Sequence, residues 1–318
     1  MEIWLPLIGG FVLLVLGGDL LVRGAVRVAE KLGVSPLVIG LTLVGFGTSM
    51  PELVTSVQAA LSGAPGIAYG NIVGSNIANL LLILGASALI TPIAVQSAAL
   101  RRDGGVMVAV AVIFAALGLV MPLGVAVGAA FTVALTAYIW IAFRQESRGA
   151  VHEKAAATQA VDPALGPDHG GSILVGLLTA VAGLGLVVLG GYLLVDGATT
   201  LARAFGVSET IIGLTIVAIG TSMPELVTSV MAAIRKQADM AFGNIIGSNI
   251  YNILGIGGVT ALAAPGRVPA EILSFDNLVM IAASLAVVGL AWTGLRISRR
   301  EGAVLLLGYG AYLWALWP

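Results

Sequence analysis

Polar positions are sparse in this chain, and the apolar runs between them are long enough to cross about 30 Å of hydrocarbon. The runs fall near 3–22, 36–61, 68–92, 104–121, 123–143, 172–195, 209–234, 241–264, 276–295 and 302–317. This pattern predicts ten helices, with Pro122 and Gly124 separating the fourth from the fifth. The only sizeable polar stretch, 144–171, is mixed in charge and holds both histidines, His152 and His169. It reads as a cytoplasmic connector, too short to build a core of its own.

The runs repeat in order. GFGTSMPELVTSVQAA (45–60) and AIGTSMPELVTSVMAA (218–233) share 13 of 16 positions at an offset of 173 residues. The same shift lays GGDLLVRGA (17–25) on GGYLLVDGA (190–198), GNIVGSNIANLLLILG (70–85) on GNIIGSNIYNILGIGG (243–258), and Asp103 on Asp276, with no gap. A five-span unit is therefore written twice, as 1–143 and 172–318, joined by 144–171. An odd number of spans forces the second copy into the membrane from the opposite side, which makes the pair an inverted repeat. With the N-terminus outside, thirteen Lys and Arg residues gather on the cytoplasmic side and only Arg203 and Arg267 remain outside. That is a strong positive-inside bias.

Composition agrees with the pattern. Apolar residues make up 58%, charged residues 10%, and mean hydropathy is +1.05. The expected fold is an all-α polytopic membrane protein of ten transmembrane helices, sited in the cell membrane with the lipid bilayer as its partner. A net charge of −1 without a basic tail gives no sign of nucleic-acid binding. No obligate protein partner is implied. The absence of cysteine excludes disulfide and thiolate chemistry. The start, MEIWLPL, carries an acid and no basic region, so the first run is expected to be a span and not a cleaved signal.

Against this background Glu52 and Glu225 stand out, since a charged side chain at the centre of a span costs roughly 2.5–3.5 kcal/mol on insertion scales. Each follows a proline, Pro51 or Pro224, whose missing N–H must break or kink the helix. Carbonyls freed at such breaks are tolerated only against protein or a wet cavity, and they suit hard cations. A different reading is local: Ser49 with Glu52, and Ser222 with Glu225, fit the S-x-x-E capping box. Duplication at mid-span favours an ion site, because a cap does not need a charge in hydrocarbon. Asn71, Ser75 and Asn79, like Asn244, Ser248 and Asn252, are spaced four apart along one helix face. They can serve as interhelical hydrogen-bond glue or as neutral ligands. Two bidentate carboxylates and one carbonyl from each broken helix give about six oxygens, which fits Ca²⁺.

At these motifs the chain resembles the cation/Ca²⁺ exchanger superfamily and is most similar to prokaryotic Na⁺/Ca²⁺ exchangers. The resemblance implies that Glu52 and Glu225 bind Ca²⁺ with the backbone carbonyls of Thr48 and Thr221. It also implies Na⁺ ligation by Ser49, Ser75, Ser222 and Ser248 and by the carbonyls of Gly45 and Ala218, with Asn79 and Asn252 at the centre. Some relatives carry aspartate where this chain has Asn252, so the centre here holds two formal negative charges. The implied activity is antiport of Na⁺ against Ca²⁺ by alternating access, with the transported ions as substrates and no cofactor. The first and sixth spans, rich in glycine, are the candidates for the moving pair. Two rival readings are H⁺/Ca²⁺ exchange through carboxylates that take up protons and a passive cation channel. No serine, histidine and acid set lies within the spans, so an enzyme is not expected.

Overall fold

Within hydrocarbon every backbone polar group must find its partner inside the segment, and an apolar chain of this kind answers with helices. The computed structural model describes residues 4–158, 172–205 and 218–316. Helix α1 is Trp4–Leu32, α2 Pro36–Thr48, α3 Met50–Leu61, α4 Pro65–Ile90, α5 Ser97–Val120 and α6 Val125–Thr158. The second repeat supplies α7 Ile173–Ala204, α8 Ala218–Thr221, α9 Met223–Ile234, α10 Ala238–Ala263, α11 Ile272–Gly294 and α12 Arg299–Leu316. Seven of these helices are individually long and apolar enough to span, and the bent pair α2 and α3 makes an eighth. The start of the 209–234 run lies outside the described residues, and α12 opens on the charged Arg299, Arg300 and Glu301.

Three helices outrun the apolar pattern at their C-terminal ends. The first continues past residue 22 to Leu32, α7 past residue 195 to Ala204, and α6 runs through Thr158, into the stretch read as a connector. RQESRGAVHEKAAAT is rich in Ala, Glu, Gln, Lys and Arg, all good helix formers, so polarity ends the span without ending the helix.

The two repeats interlock. Helices α1 and α7 pack antiparallel along their lengths, and glycines let their backbones touch: a Cβ at Gly10 would lie 2.7 Å from Gly190 O, and one at Gly17 would lie 2.7 Å from Val187 N. The first half of α10 packs on α2, the second half of α4 on α12, and the second half of α10 on α6. Residues 93–94 pair antiparallel with 296–297, and Leu123 bridges Gly266 at the equivalent place in the other repeat.

These equivalences correct the ungapped register. Gly85 faces Gly302 as Gly258 faces Gly128, and Tyr312 donates to Asp276 as Tyr138 donates to Asp103. The offset is 173 up to Asp276 and 174 in the last span. The extra residue is accommodated at Leu295, which takes a left-handed conformation (φ 48°) where α11 ends.

Candidate functional site

The site is built on the two breaks. Between α2 and α3, Ser49 sits at φ −83°, ψ 4°, and the helices bend by 44°. Between α8 and α9, Ser222 repeats the geometry at φ −89°, ψ 7°. Pro51 and Pro224, second in α3 and α9, have no N–H to continue the ladder. Glu52 and Glu225 therefore fall on first turns, where the helix dipole favours an anion.

The capping-box reading does not hold: neither serine caps its own helix. Ser49 Oγ donates instead to Glu225 Oε1 at 2.9 Å, and Ser222 Oγ donates to Glu52 Oε1 at 3.0 Å. Each break thus serves the carboxylate of the other repeat, which draws both glutamates into one site. They are 2% and 1% exposed, and neither forms an ion pair among the described residues.

Other expected ligands gather round them. Ser75 Oγ lies 3.3 Å from Ser222 Oγ, and Ser248 Oγ stands beside Gly45, 3.6 Å from where a Cβ on that glycine would be. Asn79 and Asn252 are buried where α4 and α10 widen into π-helical turns, Ala78–Ile83 and Asn252–Ile256. Such bulges recur at functional sites. Thr48, fully buried, ends α2; its hydroxyl lies 3.0 Å from Val44 O and 3.4 Å from Asn244 Oδ1. Thr221 ends α8 with its hydroxyl 3.5 Å from Asn71 Oδ1. The Gly45 carbonyl already accepts the Ser49 N–H at 3.1 Å and lies 3.3 Å from the Thr48 hydroxyl. Ala218 opens α8 one turn before Ser222.

The chemistry of this donor set is specific. Glu52 Oε2, Glu225 Oε2, Asn79 Oδ1, Asn252 Oδ1 and Ser248 Oγ are all buried without a hydrogen-bond partner. Orphan oxygens inside a protein normally have a reason, and an oxygen-rich set around two unpaired carboxylates is what a hard cation requires. Among the described residues there is no cluster of three or more His, Cys, Asp or Glu.

Behind these residues lies a second layer, whose serines, Ser56 and Ser229, the sequence reading did not name. Asn71 Nδ2 donates to Ser56 Oγ at 2.9 Å and to Glu52 O at 3.3 Å; Asn244 Nδ2 donates to Ser229 Oγ at 2.8 Å and to Glu225 O at 3.4 Å. Of the two roles open to Asn71 and Asn244, interhelical hydrogen-bond glue or ligand, the structure shows the first: they grip the turns that carry the glutamates. The serine four residues after each glutamate was the available signal.

Comparison with known proteins follows the same lines. The family model described as sodium/calcium exchanger protein matches residues 2–144 and again 175–317. The sodium/calcium exchanger MaX1 of Methanosarcina acetivorans is 37% identical, covering 98% of this chain and 97% of its own. The inner membrane protein YrbG of Escherichia coli is 36% identical, covering 97% and 94%. A solved structure of the sodium-calcium exchanger NCX_Mj superposes with a TM-score of 0.85 at 32% identity, covering 99% of this chain and 100% of that one.

Proposed function

This chain belongs to the sodium/calcium exchanger family, a family of membrane transporters and not enzymes, and from that premise we propose that it exchanges Na⁺ for Ca²⁺ at Glu52 and Glu225. The observation that carries the reading is the reciprocal pair of bonds from Ser49 to Glu225 and from Ser222 to Glu52. It makes one buried, oxygen-lined site from the two repeats.

Ca²⁺ is bound by the two carboxylates and the carbonyls of Thr48 and Thr221. Na⁺ is held by Ser49, Ser75, Ser222 and Ser248 with shared carboxylate oxygens and the carbonyls of Gly45 and Ala218, while Asn79 and Asn252 add no charge to that of the two carboxylates. Two uncompensated carboxylates penalise movement of the empty site through the low-dielectric interior, whereas a loaded site is free to turn. That coupling gives exchange and prevents leak. The first and sixth spans, α1 and α7, move as a pair against the remaining helices, which presents the site to each side in turn. The chain crosses ten times with its N-terminus outside and the 144–171 stretch in the cytoplasm. The amides at 79 and 252, where a third acidic group would suit proton coupling, favour Na⁺ over H⁺ as the counter-ion.

The test is Ca²⁺ uptake into proteoliposomes preloaded with Na⁺. Uptake should require an outward Na⁺ gradient and persist when the pH gradient is collapsed. Uptake that follows the pH gradient identifies H⁺/Ca²⁺ exchange, and uptake without any counter-gradient identifies a channel.

A further inference from the structure

We propose that Asn71 and Asn244 are positioning residues that fix the two glutamates at the spacing Ca²⁺ requires, an inference that rests on the exchanger reading above. Each asparagine lies two turns before the π-helical bulge of its span, and each uses both ends of its amide. The NH₂ group bonds a backbone carbonyl and a serine hydroxyl of the same turn, Glu52 O with Ser56 Oγ, or Glu225 O with Ser229 Oγ. The carbonyl end reaches into the other repeat, Asn71 Oδ1 toward the Thr221 hydroxyl and Asn244 Oδ1 toward the Thr48 hydroxyl. Each amide therefore links a turn bearing a carboxylate to the end of the other broken helix.

The chemistry of these contacts is particular to an amide. A serine hydroxyl within a helix ordinarily donates back to the carbonyl four residues earlier. Here that carbonyl and that hydroxyl both accept from one asparagine, which holds the first turn of the half-helix at two points and resists its rotation. The arm to the neighbouring threonine is longer, 3.5 Å for Thr221 and 3.4 Å for Thr48, and contributes less. The two staples differ in burial: Asn244 is sealed at 0% exposure, while Asn71 is only partly buried. Asn71 is thus the position where substitution is tolerated by the fold and its effect on the ion is visible.

A fixed shell matters more to Ca²⁺, which needs six to eight oxygens at once, than to a single Na⁺ sharing a carboxylate with water or hydroxyl. The consequence is a change in selectivity. The experiment is equilibrium Ca²⁺ binding to purified full-length protein in Na⁺-free buffer, followed by displacement of bound Ca²⁺ with Na⁺. For Asn71→Ala we expect Ca²⁺ affinity to fall by about tenfold while the number of sites stays at the wild-type value and Na⁺ displaces at lower concentration. Asn71→Leu, which keeps the approximate volume and loses both donors without adding charge, should behave the same way. Ser56→Ala removes one of the two anchors and should give a smaller shift in the same direction. Loss of binding sites with unchanged affinity and unchanged Na⁺ competition in the remaining protein would make Asn71 merely structural and overturn the proposal. A wild-type chain that shows no saturable Ca²⁺ binding would overturn the exchanger reading as well. The two failures are therefore distinguishable.

Discussion

Helices α3 and α9 have almost the same sequence, MPELVTSVQAAL and MPELVTSVMAAI, and very different surroundings. Helix α3 buries only Glu52 and Ser56. Helix α9 buries Pro224, Glu225, Thr228, Ser229, Ala232 and Ala233. Among the described residues the reason is the α1 and α7 pair, which packs on α9 and makes no comparable packing on α3. A Cβ on Gly18 would lie 2.7 Å from Val227 Cγ1 and 3.0 Å from Met231 Cγ, while the equivalent positions on α3, Val54 and Gln58, are exposed. On the exchange mechanism proposed above, inverted repeats supply two equivalent seats for the α1 and α7 pair, and a single conformation can occupy only one of them. On that proposal the asymmetry belongs to the state, written on a nearly symmetric sequence.

The largest expected effect asks whether the carboxylates remain equal despite these surroundings. Glu52→Gln and Glu225→Gln should each reduce Na⁺-driven Ca²⁺ uptake on the order of a hundredfold or more, because ligand charge sets Ca²⁺ affinity over decades. Both proteins should elute as folded single species. If Glu225→Gln is inactive while Glu52→Gln transports at the wild-type rate, the site belongs to one repeat and the reciprocal arrangement is not the transport site.

Cross-linking sharpens the comparison of seats, since the chain has no cysteine of its own. Cysteines at Gly18 and Val227 should form a disulfide readily, because these positions touch in the structure. Shifting both by one repeat exchanges them for Gly191 and Val54, the pair expected to meet when α1 and α7 occupy the other seat. The second disulfide should form only while the protein is turning over. Either disulfide should stop exchange, and reduction should restore it. Failure of the Gly191 and Val54 pair to form under active exchange, with the first pair forming normally, would mean that motion does not swap the seats.

Much of this was legible in the chain because it depends on chemistry repeated at fixed spacing. Two glutamates beside two prolines, each in an apolar run, define broken helices and a buried pair of charges without any coordinate. The duplication at 173 residues announced two homologous units, and the second match of the family model begins at the same displacement. What the chain did not disclose is geometric. Ser49 and Ser222 looked like caps for their own helices because S-x-x-E is a local signal, whereas their real acceptors lie 176 and 170 residues away. The π-helical turns at Asn79 and Asn252 leave no compositional mark. The single extra residue at Leu295 was hidden because an apolar span absorbs a one-residue shift without changing its hydropathy; only paired glycines and tyrosines reveal it.

The smallest expected effect comes from an ion pair that one seat has and the sequence denies the other. Asp19 on α1 pairs with Arg23 at 2.9 Å and with Arg235, which caps the C-terminus of α9. The equivalent positions in the other repeat are Tyr192 and Ser62, which cannot form an ion pair. When α1 and α7 change seats the contact to Arg235 is lost and nothing charged replaces it, so it favours the seat on α9. Asp19 is 23% and Arg235 31% exposed, which places the pair between a surface salt bridge and a sealed one. Pairs of that kind are worth up to about 1 kcal/mol, or roughly a fivefold bias. Asp19→Asn should therefore raise cross-linking of Gly191 and Val54 cysteines relative to Gly18 and Val227 cysteines by about two- to fivefold. The difference should shrink as salt rises and screens the exposed side of the pair. Exchanging the charges, with Asp19→Arg and Arg235→Asp together, should return the ratio toward that of the wild-type charges. A ratio that ignores Asp19→Asn at low salt would show that packing at Gly18, and not charge, holds the pair on α9.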